Sequence, residues 1–170
     1  MRERTDSRVK IEEVAPGGVP ERGFRFMVVV AQYNSLVTDR LLEGALGAFR
    51  RAESQIQTVS VVRVPGALEL PFAVRKAVDA GSFDGVLALG CVIRGETGHY
   101  EAVVSGVTAG LGQINAAGLV PVVFGILTTD TLLQALDRVG GKTGHKGIEG
   151  AETLLAMARL SDSLSGGRKP

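Results

Sequence analysis

One histidine, one glycine-bearing turn and one cluster of cations carry most of the chemistry open to this chain. His99 follows Arg94-Gly95-Glu96-Thr97-Gly98. Glycines at 95 and 98 let that turn bend tightly and expose backbone N–H groups, and a helix opening at His99 adds its dipole, so the geometry suits an anion with an imidazole beside it. Neutral imidazole near pH 7 both takes and returns protons. A surface or capping histidine fits the same residues. Arg138, Lys142, His145 and Lys146 lie among glycines and suit a phosphate, Arg138 best because of its bidentate fork; cations at a solvated helix end are the alternative. Gly141-Lys142-Thr143 is not a P-loop, because position 136 is Leu and the loop follows a helix. Tyr33 and Phe124 offer faces on which a planar heteroaromatic ligand stacks, with core packing the default for Phe124. Glu69, after Pro65-Gly66, either accepts hydroxyl hydrogens or complements a helix dipole. Cys91 lies inside an apolar run and reads as a buried, inert thiol.

Positioning these groups falls to an alternation of strand and helix. Apolar runs at 26–31, 86–93 and 121–127 read as strands buried on both faces, with a further strand at 58–64. Apolar residues at helical spacing predict helices over 36–52, with Ser35 or Thr38 as caps, 68–80, 99–115, 131–139 and 145–160. The alternation implies an α/β domain, a four-stranded mainly parallel sheet with helices on both faces. Ligands of such sheets collect beyond the carboxyl ends of the strands. Gln32-Tyr33-Asn34, 65–69, 94–99 and Thr128-Thr129-Asp130 all fall on that rim.

Composition narrows the classes. In 170 residues, 45% are hydrophobic and 22% charged, enough for one domain. Nineteen basic and eighteen acidic side chains leave no field to attract nucleic acid or an anionic membrane. No run reaches the ~18 apolar residues of a membrane helix, and the charged start does not resemble a signal peptide, so a cytoplasmic location is expected. One cysteine and two histidines argue against a metal site. Residues 1–22 read as an N-terminal arm, 23–160 as a single domain and 161–170 as a C-terminal tail.

Five separated segments carry a resemblance. They are Tyr33-Asn34; Val64-Pro65-Gly66-Ala67-Leu68-Glu69-Leu70-Pro71; Gly90-Cys91-Val92-Ile93-Arg94-Gly95-Glu96-Thr97-Gly98-His99-Tyr100; Phe124-Gly125-Ile126-Leu127-Thr128; and Asp137-Arg138 through Lys146-Gly147. In order and spacing they resemble lumazine synthases, over residues 24 to 160. The resemblance implies a flavodoxin-like three-layer sandwich. It implies condensation of 5-amino-6-(ribitylamino)uracil with 3,4-dihydroxy-2-butanone 4-phosphate, giving 6,7-dimethyl-8-ribityllumazine, phosphate and water in riboflavin biosynthesis, with no cofactor. Tyr33 takes the place of an aromatic that stacks on the pyrimidine, usually Phe or Trp. Ala67, Leu68 and Glu69 match the ribityl-binding segment, and Cys91, Val92 and Ile93 the strand end that reads the pyrimidine edge. Glu96 and Thr97 match the turn for the phosphorylated substrate, His99 the proton-transfer residue and Arg138 the phosphate clamp. Phe124 matches an aromatic lent to a neighbouring subunit's site. Asn34, Lys146 and Glu149 are auxiliary. Glu96 places a negative charge in a phosphate-binding turn, and Gly98 stands where proline is common. The resemblance further implies a homo-oligomer, a pentamer or a 60-subunit icosahedral shell of twelve pentamers. The short, glycine-rich loop 140–146 resembles the shell-forming members. A flavodoxin-like domain that binds phosphate without chemistry, and a shell protein whose pocket no longer turns over, are the two rival readings.

Overall fold

The computed structural model describes residues 13–165 of the 170-residue chain. Four strands, β1 (Phe24–Ala31), β2 (Ile56–Val64), β3 (Gly85–Ile93) and β4 (Val122–Thr129), form one sheet in the order β2-β1-β3-β4 with every pairing parallel. Helix α1 (Ser35–Arg51) joins β1 to β2, α2 (Leu70–Asp79) joins β2 to β3, and α3 (His99–Ala116) joins β3 to β4. A short α4 (Leu132–Asp137), a small antiparallel ladder of β5 (Val139–Gly141) and β6 (Gly144–His145), and α5 (Lys146–Leu164) complete the chain.

The central strands are apolar throughout because helices cover both faces. Phe26, Val28 and Val30 of β1, with Leu87 and Leu89 of β3, face α1 and α5; Val29, Val86 and Ala88 face α2 and α3. All are fully buried, each large aliphatic group contributing about 1.5–3 kcal/mol by leaving water. Phe26 stacks between Phe24 and Phe49 at centroid distances of 5.6 and 5.4 Å. Close helix approach is set by glycine: a Cβ on Gly147 of α5 would stand 2.0 Å from the Leu41 carbonyl oxygen of α1. At the amino ends of the strands Asp84 anchors the sheet. It accepts from the Arg25 N–H at 2.7 Å and from both Arg22 Nη groups at 2.7 and 2.9 Å. Burial pushes its carboxyl up, and the Arg22 and Arg25 bonds outweigh that and hold it below the usual carboxylate range.

The expected architecture is observed, with four local differences. Helix α1 is capped by Asn34, not by Ser35 or Thr38; Thr38 is buried, and its hydroxyl has no partner. The second helix starts at Leu70, after a 3₁₀ turn over Ala67–Glu69. The glycine loop after α4 folds into the β5–β6 ladder, allowed by positive φ at Gly140 and Gly144. Helix α5 continues to Leu164, so the first residues of the expected C-terminal tail are helical; the rest of that tail, 166–170, lies outside the described residues. The extension is held by the expected arm: Gly17 donates to the Arg159 carbonyl at 3.0 Å and Ser163 Oγ to the Ala15 carbonyl at 2.8 Å. Residues 1–12 of that arm lie outside the described residues.

Candidate active site

The strand order places a crevice where β1 and β3 diverge. From β1 the chain crosses to β2 on one side, whereas β3 lies on the other, so the loops beyond Ala31 and Ile93 leave in opposite directions. The last β1–β3 pair is Val30 with Leu89, and β3 runs on to Ile93 beside β4 alone. Arg94 turns its N–H to the Thr129 carbonyl of β4 at 2.8 Å. Backbone groups alternate sides along a strand, so the N–H and C=O of Cys91 and Ile93 point the other way, over the end of β1. An edge of this kind, its Cys91 carbonyl already accepting from Asn34 Nδ2 at 2.8 Å, has the alternating donors and acceptors that would suit a planar heterocycle.

A cleft of about 490 Å³ occupies this crevice. Its walls bring together Tyr33 and Asn34 beyond β1, Ala67, Leu68 and Glu69 beyond β2, Cys91, Val92 and Ile93 at the end of β3, and Thr97 and His99 of the following turn. Pro65, Gly66, Gly95, Tyr100 and Val103 complete it. A second hollow of about 230 Å³, lined by the end of α1 and the start of β2, lies away from all of these.

Asn34 organises one wall. Its backbone is left-handed, φ 60° and ψ 44°, and its carbonyl accepts from the Val37 and Thr38 N–H groups at 2.9 and 3.0 Å. Its side chain does not cap α1. Instead Nδ2 donates to the Cys91 carbonyl at 2.8 Å across the crevice, which satisfies a strand-end acceptor that β1 is too short to reach. The Tyr33 N–H is held by the Pro65 carbonyl at 3.0 Å, and the residue stands 73% exposed at the mouth. Glu69 folds back over Gly66, where a Cβ would meet Glu69 Oε2 at 2.9 Å; glycine there leaves room for the carboxylate. Leu68 packs against Gly106, and Pro71 against Gly110, with a Cβ at either glycine meeting them at 2.8 Å. These small residues of α3 therefore serve its contacts with the Ala67–Glu69 turn and with α2 within the chain, while Ala102, Ser105 and Ala109 stay exposed. Cys91 is 3% exposed and burial pushes its thiol up to about 11, so near neutrality it is a wall and not a nucleophile. His99 opens α3 on an exposed first turn, its N–H on Thr97 Oγ1 at 3.4 Å.

Seven sequence-predicted residues do not line this cleft: Glu96, Phe124, Arg138, Lys142, which is exposed, His145, Lys146 and Glu149. Glu96 is exposed and points no wall into it, which relieves the charge conflict its position suggested. Phe124 is half-buried on β4 against the α2–α3 side of the core. Arg138, Lys146 and Glu149 form a separate cluster, with Glu149 Oε2 3.5 Å from Arg138 Nη2 and 3.6 Å from Lys146 Nζ. His145 is withdrawn from the cation cluster: its ring lies on Gly44 of α1, where a Cβ would approach Cε1 to 2.1 Å. The sequence reading missed Arg94 as part of the site's framework. Arg94 binds Asp130 and Glu101 and stacks on Tyr100, a contact pattern with no signature in local spacing. Among the described residues no group of three His, Cys, Asp or Glu side chains is placed to hold a metal ion, and no helix is long and apolar enough to cross a membrane.

Comparison with known proteins identifies this arrangement. The family model for 6,7-dimethyl-8-ribityllumazine synthase matches residues 23–162. The chain belongs to the lumazine synthase family. Among its relatives, the 6,7-dimethyl-8-ribityllumazine synthase of Thermotoga neapolitana is 42% identical over 152 residues, covering 89% of this chain and 92% of that one. The same enzyme of Thermotoga maritima is 41% identical over an equal span. The matched span contains every strand of the four-stranded sheet and every residue that lines the cleft.

Proposed function

We propose that the cleft holds the ribitylaminouracil half of a lumazine synthase reaction and that a neighbouring copy of the chain completes the site. The observation that carries this reading is the meeting, in one cleft, of the pyrimidine-edge backbone, the stacking Tyr33, the Glu69 carboxylate and the His99 turn. Tyr33 covers the face of the ring, the peptide groups of Cys91 to Ile93 address its edge, and Glu69 accepts from ribityl hydroxyls. The free amine of the pyrimidine adds to the ketone of the butanone phosphate and loses water to form an imine. Phosphate then departs from the four-carbon unit. Its departure takes the C3 proton and leaves an enol, which tautomerises to a ketone at C3, and the ribityl-bearing nitrogen closes the ring on that ketone with loss of a second water. Each step moves a proton at nitrogen, carbon or oxygen, and His99 on the cleft wall is the group that accepts and returns it, worth about 10²–10⁴ in rate. Holding two substrates in register supplies much of the rest and requires no cofactor.

Phosphate needs a cation, and among the described residues no arginine or lysine lines the cleft. Arg138, with Lys146 and Glu149 around it, and Phe124 lie elsewhere on the same chain. Supplied by a neighbour in a ring, they would close the butanone phosphate between Arg138 and Thr97 and cover the second face of the heterocycle with Phe124. A pentamer meets that requirement, and the short β5–β6 turn favours assembly of twelve pentamers into a cytoplasmic shell. The direct test supplies both substrates and follows lumazine fluorescence with phosphate release. We expect the two to appear in equal amounts and neither when one substrate is omitted. Phosphate release without the pyrimidine, or binding of both substrates without product, would replace the proposed function with that of a phosphate-releasing enzyme or a binding domain.

A further inference from the structure

Beside the cleft, one side chain joins three elements around the His99 turn. Arg94 lies outside the cleft lining. Its Nε donates to Asp130 Oδ1 at 2.8 Å, in the connection between β4 and α4. Its Nη1 donates to Glu101 Oε1 in the first turn of α3, and its guanidinium lies 4.1 Å from the centroid of the Tyr100 ring in the same turn. Little else secures that turn among the described residues. The cap, Gly98, has no side chain to accept from the helix, and the bond from His99 N–H to Thr97 Oγ1 is long at 3.4 Å. Two carboxylates on one guanidinium leave the cluster with a net negative charge, so Arg94 is not a free cation awaiting phosphate.

We propose that Arg94 is a positioning residue for the condensation: by holding Glu101, Tyr100 and Asp130 together it sets where the His99 imidazole stands in the cleft. The proposal rests on the proton-transfer role given to His99 above. Exposed ion pairs contribute little to stability, so the fold does not depend on this cluster. Geometry is more demanding, since displacing a reacting group by about 1 Å lowers rates by as much as ~10²-fold.

The test is a double-mutant cycle with amide hydrogen exchange. Arg94→Ala should lower kcat about 10-fold with KM for the ribitylaminouracil within about 2-fold, and should lower it less than 2-fold in a His99→Ala background. Arg94→Lys should recover only part of the loss, because an ammonium cannot fork between two carboxylates while stacked on a ring. Equal losses in both backgrounds, or full recovery by lysine, would overturn the proposal. Exchange across residues 95–103 should quicken about 10-fold in Arg94→Ala and in the milder Glu101→Gln, and not in His99→Ala. Unchanged exchange in both would overturn the clamp whatever His99 does. A fully active His99→Ala enzyme would instead remove the catalytic role of His99, and with it the Arg94 proposal, while the exchange data still report the clamp.

Discussion

Replacing Asn34 separates two contributions that the structure combines in one residue. The side chain makes the 2.8 Å bond to the Cys91 carbonyl, and the backbone occupies the left-handed region at φ 60°. Asn34→Gly keeps the backbone conformation and loses the bond, so its cost should be that of one hydrogen bond, about 1 kcal/mol. Asn34→Ala loses the bond and places a Cβ in the left-handed region without asparagine's compensating local polarity, adding about 1 kcal/mol. Asn34→Asp tolerates the backbone but turns an acceptor on the Cys91 carbonyl, and should fall with or below the glycine variant. Equilibrium unfolding in guanidinium at one fixed protomer concentration reads these differences. Both the glycine and alanine variants should also weaken binding of the ribitylaminouracil, because the peptide that orients Tyr33 is no longer tied across the crevice. Equal stability of the alanine and glycine variants would refute the backbone contribution. A glycine variant as stable as the parent would refute the bond.

Three further outcomes follow from the same geometry. His99→Ala should lower turnover about 10-fold or more with substrate binding largely retained, measured by steady-state lumazine formation. Arg138→Ala should weaken the butanone phosphate by about 1.5–3 kcal/mol, with Arg138→Lys restoring it in part, measured by the KM for that substrate. Asp84 has a folded pKa below its unfolded one, so its contribution is present above the unfolded carboxylate range and is lost as pH falls through the folded value. Asp84→Asn should therefore cost about 1–2 kcal/mol at neutral pH and flatten the acid limb of the stability profile, read from unfolding midpoints between neutrality and acid.

Much of the fold was legible because its strands are buried on both faces. Runs such as 86–93 leave no helical or alternating pattern to confuse them with surface elements. The cleft was legible for a related reason: a parallel sheet commits every β-to-α loop to one rim, so Tyr33, Glu69 and His99 had to meet. What was not legible depends on partners distant in sequence. Arg94 and Asp130 are 36 residues apart, and nothing local pairs them. The β5–β6 ladder escaped notice because Val139–Gly141 and Gly144–His145 are too short and too glycine-rich to show a period of two. Helix α5 outran its expected end because Ser161, Asp162 and Ser163 are poor helix formers, and contacts with residues 15 and 17 override that preference. Asn34 carried a usable signal, since asparagine between a strand and a helix is the residue other than glycine best suited to a left-handed cap.

A site shared between copies is tested most directly by mixing chains. Tyr33→Ala lacks the wall that lines its own cleft, and Phe124→Ala lacks the ring it would lend. Sedimentation first establishes that both variants and their mixture assemble. In a ring co-assembled from equal amounts, one chain's intact Tyr33 should face a neighbour's intact Phe124 at about a quarter of the interfaces. Lumazine formation by the mixture should then rise above that of either impaired parent, towards about a quarter of the parental enzyme's rate. Assembled mixtures no more active than the better parent would show that each chain carries a complete site of its own.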